Sequence, residues 1–303
     1  MKIIQIFIIL LSFFCANLFA EAAPKKPLIF TSRGIIYTAP YRAQENSIDA
    51  ILAVKQYNLD HPDQPLAGSE VHVVVVKPQN PSDPPIFVCS HDENLIDLTG
   101  QNINLHDLSK EQIQNLLLLQ VLDGVDYGKQ RHFTFFEDVL NGVMQDKPFI
   151  VWLNVKEHYY KPVPGQPSYT ATELIKALKS WRIQFLRERN IDIFKHMIVS
   201  SDNPFLTQAM LEATKTYHVE DLKIFPDYPD YILPPVVWDQ FFKYGGYEKE
   251  FHFSPEWVAL QTTLITKKRV DDYHQKGIKV LCWGGDCTNP DAASMYDAIL
   301  GSY

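Results

Sequence analysis

Four short stretches bring together side chains able to bind an anion, hold a metal ion or move a proton. Ser32-Arg33-Gly34 follows the apolar run 28–30; Glu70 and His72 lie within Gly68-Ser69-Glu70-Val71-His72-Val73; His91-Asp92 follows Ile86-Phe87-Val88; Asn154 and Lys156 close the run 149–155. Arginine offers a planar fork of donors, lysine a point charge, and histidine a proton near neutral pH. Glu70 and His72 stand two residues apart, as do Asn154 and Lys156, so on extended backbone each pair points to one face of its strand. A carboxylate inside an otherwise apolar strand needs a partner. The pattern is that of several side chains turned into one pocket mouth, rather than outward toward covering helices.

Those residues need elements to hold them. Runs rich in Val, Ile and Phe at 27–31, 69–76, 86–90, 149–155, 196–200, 222–225, 257–261 and 279–283 read as eight strands. Segments of helical period at 47–56, 110–118, 135–144, 171–188, 204–214, 266–276 and 291–300 fall mainly between them. Ser109 ahead of Lys110 and Ser201-Asp202-Asn203 ahead of Pro204 are helix-start signals. Strands separated by helices predict an α/β protein, a (β/α)₈ barrel of the TIM-barrel kind, with a doubly wound open sheet as the alternative. The second and third strands are joined by a loop alone and could form a hairpin. In a barrel the reacting groups stand where strands end. Those ends carry Ser32, Arg33, Glu70, His72, His91, Asp92, Asn154, Lys156, Ser201, Asp202, Asp227, Gln261, Trp283 and Asp286.

The N-terminus reads as a secretory signal peptide over residues 1–22: Lys2, an apolar run at 3–14 shorter than a membrane span, and Ala20-Glu21-Ala22. This predicts a secreted or periplasmic protein with no stable membrane span and a single domain over 23–303. The net charge of −8, with no concentration of Lys and Arg, argues against a nucleic-acid partner. Beyond Cys15, three cysteines remain at 89, 282 and 287, of which Cys282 and Cys287 are close enough in sequence to pair. An aromatic-rich stretch near 228–254 reads as a loop or small insertion over the mouth. His218, His252 and His274 read as surface groups, and Asp202, Asp227 and Asp286 as helix caps or solvated loop acids.

The ordered motifs resemble the glycerophosphodiester phosphodiesterase family. They run Ser32-Arg33-Gly34, Glu45-Asn46-Ser47, Glu70-Val71-His72-Val73, His91-Asp92-x-x-Leu95, Phe133-Thr134-Phe135-Phe136-Glu137-Asp138-Val139-Leu140, Asn154-Val155-Lys156 and Gly277-x-x-Val280-x-x-Trp283. The family shows His-Arg-Gly, Glu-Asn-Thr, Glu-Leu-Asp-Val, His-Asp-x-x-Leu, Pro-Thr-Leu-Glu-Glu-Val-Leu, Glu-Ile-Lys and a late Trp on a TIM barrel. The resemblance implies hydrolysis of phosphodiesters of glycerol or lipid headgroups, with two histidines transferring protons and a divalent cation, an arginine and a lysine facing the phosphoryl oxygens. Carried over by position, His91, Arg33 and Lys156 are catalytic; Arg33, Lys156 and Trp283 contact substrate; and Glu70, His72 and Asn154 stand at the metal.

Three of these positions depart from the family. Ser32 stands at the first histidine, His72 at the second metal carboxylate and Asn154 at the third. A serine is no general base near neutral pH without an activating partner, and His72 and Asn154 bring no negative charge to a cation. Calcium or magnesium is expected to bind poorly, with zinc or manganese somewhat better suited. Counting Arg33, Lys156 and Glu70 alone gives a formal +1, which suits direct binding of a phosphorylated small molecule. Two readings follow: a phosphodiesterase with an altered site, or a pseudoenzyme that binds a phosphorylated ligand or a protein through the mouth.

Overall fold

The computed structural model describes residues 27–122, 124–157, 160–228, 240, 256–284 and 296–301. The strands are β1 (Leu28–Thr31), β2 (Gly68–Val76), β3 (Ile86–Cys89), β4 (Val121–Leu122), β5 (Val125–Asp126), β6 (Ile150–Lys156), β7 (Met197–Ser201), β8 (Lys223–Tyr228), β9 (Trp257–Gln261), β10 (Lys279–Trp283) and β11 (Ala298–Gly301). The α-helices among the described residues are α1 (Ile48–Asp60), α2 (Ile96–Thr99), α3 (Lys110–Asn115), α4 (Phe136–Val143), α5 (Tyr169–Arg189), α6 (Pro204–Tyr217) and α7 (Lys267–Gln275).

Among the described residues eight parallel strands close into a barrel in the order β1-β11-β10-β9-β8-β7-β6-β2. Pairing of Phe30 with Gly68 and Thr31 with Ser69 joins its first and last members. The (β/α)₈ expectation therefore holds, but two of its elements do not. The run 86–90 is not a barrel strand but forms the hairpin that its short connection to β2 allowed: β3 pairs antiparallel to β2, Val73 opposite Cys89. The eighth barrel strand is β11, within a stretch expected to be helical, and it is placed by its parallel pairing to β1 and β10.

Side-chain alternation sorts the core into layers. Val71, Val73, Leu153, Val155 and Val199 face outward and pack under Ile51 and Val54 of α1, Val139 and Leu140 of α4, Leu174 and Leu178 of α5, and Leu206 and Met210 of α6. The opposite face fills the barrel with Phe30, Trp152, Ile198, Phe225, Trp257, Leu281 and Leu300. A third cluster, including Val74, Val88, Leu95, Leu105, Ile113 and Phe133, builds a lobe on the β2–β3 hairpin. The capping signals read from sequence are present: Ser109 and Gln112 form a capping box on α3, and Asn203 caps α6 with Pro204 in its first turn. Among the described residues no helix is long and apolar enough to cross a membrane.

Residues 1–22, His252, Asp286, Cys287 and nearly all of the 228–254 stretch lie outside the described residues. Tyr228 ends β8, buried. Cys282 is disulfide-bonded, with its partner outside the described residues, and Cys89 is free and buried. His274 faces Asp297 at 2.8 Å on the exposed side of α7, and His218 terminates α6.

Candidate functional site

On β1, β6, β8 and β10 the inward face changes at the same end of the barrel from purely apolar groups to groups that can hydrogen-bond. Two residues beyond Phe30 stands Ser32; beyond Trp152 come Asn154 and Lys156; beyond Phe225 stands Asp227; beyond Leu281 stands Trp283. Residues pointing into the barrel interior thus become, one pleat further, the lining of the mouth. The β2 register completes the layer. Because Ser69 pairs with Thr31, the last residue of β1, Glu70 reaches the level of Ser32 and His72 stands one pleat beyond it.

Ser32, Asn154 and His72 gather on Glu70, and the other polar groups of the mouth stand around them. Ser32 Oγ donates to Glu70 Oε2 at 2.9 Å, Asn154 Nδ2 donates to Oε1 at 2.9 Å, and His72 Nε2 stands 3.1 Å from Oε1. Asn154 Nδ2 also lies 3.4 Å from Asp227 Oδ2, and the indole N–H of Trp283 donates to Asp227 Oδ1 at 2.9 Å. The His72 and His91 rings meet edge to face with centroids 4.7 Å apart, and His91 Nδ1 lies 2.9 Å from Asp92 Oδ1. Lys156 Nζ donates to Asp202 Oδ2 at 3.3 Å, and Arg33 Nη1 to Glu45 Oε2 at 2.7 Å. Arg33, Glu70, His72, His91, Asn154, Lys156 and Trp283, expected from separate motifs, belong to this one mouth.

Local backbone sets the Arg33 end. Arg33, Gly34 and Asn46 all have positive φ, at 60°, 94° and 53°. A Cβ on Gly34 would fall 2.6 Å from the Ala50 carbonyl carbon, so the chain passes α1 at a distance only glycine permits. The Glu45-Asn46-Ser47 motif divides its work. Ser47 caps α1 by accepting from Ala50 N, Glu45 pairs with Arg33, and Asn46 donates its N–H to the Arg33 carbonyl while its Oδ1 accepts from His72 N.

Asp202 and Asp227 correct the sequence reading. Neither is a cap or a solvated loop acid: both are buried in the mouth, Asp202 against Lys156 and Asp227 between Asn154 and Trp283. Their signal was present in the two-residue period, since Asp227 shares the inward face of Phe225; ending that strand at 225 hid it. With Glu45 and Asp202 beside Arg33 and Lys156, the formal +1 expected from three residues does not describe the site.

Burial pushes the Glu70 carboxyl up, but His72, the Lys156 ammonium and the Asn154 amide outweigh it and hold Glu70 below the ordinary carboxylate range. Burial also lowers His72 to about 3 against the pull of Glu70, so its ring is neutral near pH 7. Asp227 is pushed up to about 8 by burial, with Asp202 and Glu70 adding to the effect and Lys156 opposing it. Arg33 stays charged: burial works against it, and Glu45 more than offsets that.

The residues present do not fit the divalent cation that the family resemblance implies. Both oxygens of Glu70 accept hydrogen bonds from neighbouring side chains, and Asn154 turns its N–H₂ toward the carboxylate. The reversed amide would set two oxygens 2.9 Å apart. Among the described residues no group of three His, Cys, Asp or Glu is arranged to hold a metal ion.

Among curated proteins, none matches the sequence. Solved structures do. One assigned as a glycerophosphodiester phosphodiesterase from Galdieria sulphuraria superposes with a TM-score of 0.64 at 14% identity, covering 93% of this chain and 96% of that one. A glycerophosphodiester phosphodiesterase from Parabacteroides distasonis gives 0.57 at 14%, covering 92% and 93%. A phosphodiesterase from Oleispira antarctica, in complex with the product sn-glycerol-3-phosphate, gives 0.55 at 16%, covering 90% and 92%. At these identities the likeness establishes the shared fold. The sequence itself matches the profile of the Glycerophosphoryl diester phosphodiesterase family over residues 85–298, more than half of its length, and the chain belongs to that family.

Proposed function

We propose that the mouth takes a glycerophosphoryl diester, or a related phosphodiester of a small alcohol, and hydrolyses it with His91 as proton donor. One observation carries this reading: Arg33, Lys156 and His91, from three separate segments, stand around the same buried Glu70–His72 pair, Arg33 and Lys156 within electrostatic reach of Glu70 and the His91 ring against that of His72. Arg33 and Lys156 face the phosphoryl oxygens. Water attacks phosphorus as the bond to the alcohol oxygen breaks; His91, oriented through Nδ1 by Asp92, gives its proton to that oxygen, while the proton of the attacking water stays on the phosphoryl group and passes through solvent to restore His91. Trp283, fixed through its indole by Asp227, walls the alcohol side. Ser32 donates to Glu70 rather than taking a proton from water, so turnover is expected to be low. Hydrolysis of glycerophosphocholine and of an activated aryl diester tests the assignment. His91→Ala should lower the rate by roughly 10²- to 10⁴-fold; a rate unchanged by that substitution removes His91 from the chemistry.

The commitment of Ser32 to Glu70 favours a second reading, a pseudoenzyme that binds a phosphorylated ligand without turning it over. Titration calorimetry with sn-glycerol-3-phosphate separates the two: saturable heat lost in Arg33→Ala, together with no hydrolysis of either diester, supports the binding module. We also propose that residues 1–22 direct export. The disulfide at Cys282 agrees with an oxidising compartment. N-terminal sequencing of the protein from its native host should begin at residue 23, and a chain retaining Met1 would refute export by cleavage.

A further inference from the structure

Ser32, His72 and Asn154 stand in three different motifs, just beyond β1, on β2 and on β6, yet all three point at the same carboxylate. Glu70 is buried, as are His72 and Asn154. The Ser32 hydroxyl meets Oε2 at 2.9 Å, while the His72 Nε2 stands 3.1 Å and the Asn154 amide nitrogen 2.9 Å from Oε1. In the family pattern two of these positions hold carboxylates, which would repel Glu70 unless a cation stood between them. Here each brings hydrogen to an anionic oxygen. A divalent ion bound to Glu70 would have to approach lone pairs that already accept these donors, and it would find one carboxylate where the family supplies three.

We infer that the three substitutions act as a set: hydrogen-bond donors from Ser32, His72 and Asn154 have taken over the cation's task of holding Glu70, and the mouth keeps its shape without a divalent metal. The placement of the imidazole illustrates the fit. A proton on Nε2 serves Glu70 and leaves the lone pair on Nδ1, which is buried without a hydrogen-bond partner. The Asn154 amide likewise spends Nδ2 on Glu70 and Asp227, while its Oδ1 is buried and unpartnered. Both side chains keep their donors on the carboxylate at the expense of an acceptor, the reverse of what a metal ligand does. The set also predicts that restoring carboxylates brings back dependence on the ion: His72→Asp with Asn154→Glu crowds three buried carboxylates together and should cost stability until a cation is added.

The inference goes beyond the hydrolytic reading and does not need it, because its test contains no phosphorylated ligand. The purified protein is titrated calorimetrically with calcium, magnesium, manganese and zinc chlorides. Its melting temperature is then compared in chelator and in excess metal, alongside His72→Asp/Asn154→Glu and Glu70→Gln. The expected result is no saturable heat in the unsubstituted protein and a melting temperature shifted by less than about 1 °C. In the double variant, calcium should raise a lowered melting temperature by about 4 °C or more. Saturable heat in the unsubstituted protein that Glu70→Gln removes would overturn the inference. So would a folded double variant as indifferent to metal as its parent. The Glu70→Gln comparison decides the matter even if the double variant fails to fold.

Discussion

Replacing Asp227 by asparagine should change how stability depends on pH more than it changes stability itself. In the folded protein the Asp227 carboxyl is pushed from 3.8 up to about 8, chiefly by burial. Between those values the folded state keeps a proton that the unfolded chain has released, so unfolding releases a proton and stability falls as pH rises, levelling off above pH 8. A tenfold change in proton affinity is worth about 1.4 kcal/mol, which sets a ceiling of roughly 6 kcal/mol for this shift, and relaxation around an ionised group reduces this to about 2–3 kcal/mol. Asparagine removes the titration. It keeps an acceptor for the Trp283 indole but turns an N–H₂ toward Asn154, which lies 3.4 Å from Asp227 Oδ2; that mismatch costs about 1 kcal/mol at every pH. Thermal melts of both proteins from pH 5 to pH 9 read the difference. With about 2 °C per kcal/mol for a domain of this size, the melting temperature of Asp227→Asn relative to its parent should climb by about 4–6 °C across the range. Two curves that stay parallel within about 1 °C would refute the argument that this carboxyl is buried in its protonated form.

Three further outcomes follow from the same geometry. Lys156→Met leaves Asp202 buried without its ammonium partner and should cost about 3–5 kcal/mol in urea unfolding; Asp202→Asn added to it should recover most of the loss, and a double variant no better than the single would dissolve the pairing. Gly34→Ala forces a Cβ against Ala50 at a positive φ, so about 3 kcal/mol or more of stability should vanish; a loss below about 0.5 kcal/mol would show that the Arg33 turn is not held tightly. Arg33→Lys keeps the charge but not the planar fork and should weaken binding of sn-glycerol-3-phosphate about tenfold by calorimetry, without moving the melting temperature by more than about 2 °C. Equal affinities would mean that charge alone is read.

The sequence carried the architecture and most of the mouth, for reasons visible in particular residues. Glu70 and His72 were legible because polar groups at spacing two inside a Val-rich strand are costly to bury unless they meet partners on one shared face. The strand β3 was misplaced because both its faces are covered: Phe87 and Cys89 pack in the main core, Ile86 and Val88 under the lobe. An antiparallel strand covered on both faces shows the same unbroken apolar run as a parallel barrel strand. The strand β11 was missed because Ala298-Ile299-Leu300-Gly301 is too short for its period to separate strand from helix; only pairing with β1 and β10 defines it. The two errors cancelled in the strand count. Asp227 and Asp202 were passed over because acids near turns usually cap helices, and here Asn203 does the capping. The donors gathered on Glu70 could not be read from sequence, since they depend on the stagger that brings β2 past the end of β1.

The direction of β1 has a practical consequence for attaching this protein to anything. Chain enters the barrel at Leu28, runs four residues, and reaches the mouth at Ser32 and Arg33. Leu28 therefore stands at the floor of the barrel, about one strand length from the mouth on the opposite face, and a tag or surface joined directly ahead of it would be attached at that floor. A protein tethered by its N-terminus would present its pocket outward, away from the supporting surface. Immobilised in that orientation, it would leave the mouth open to free solution.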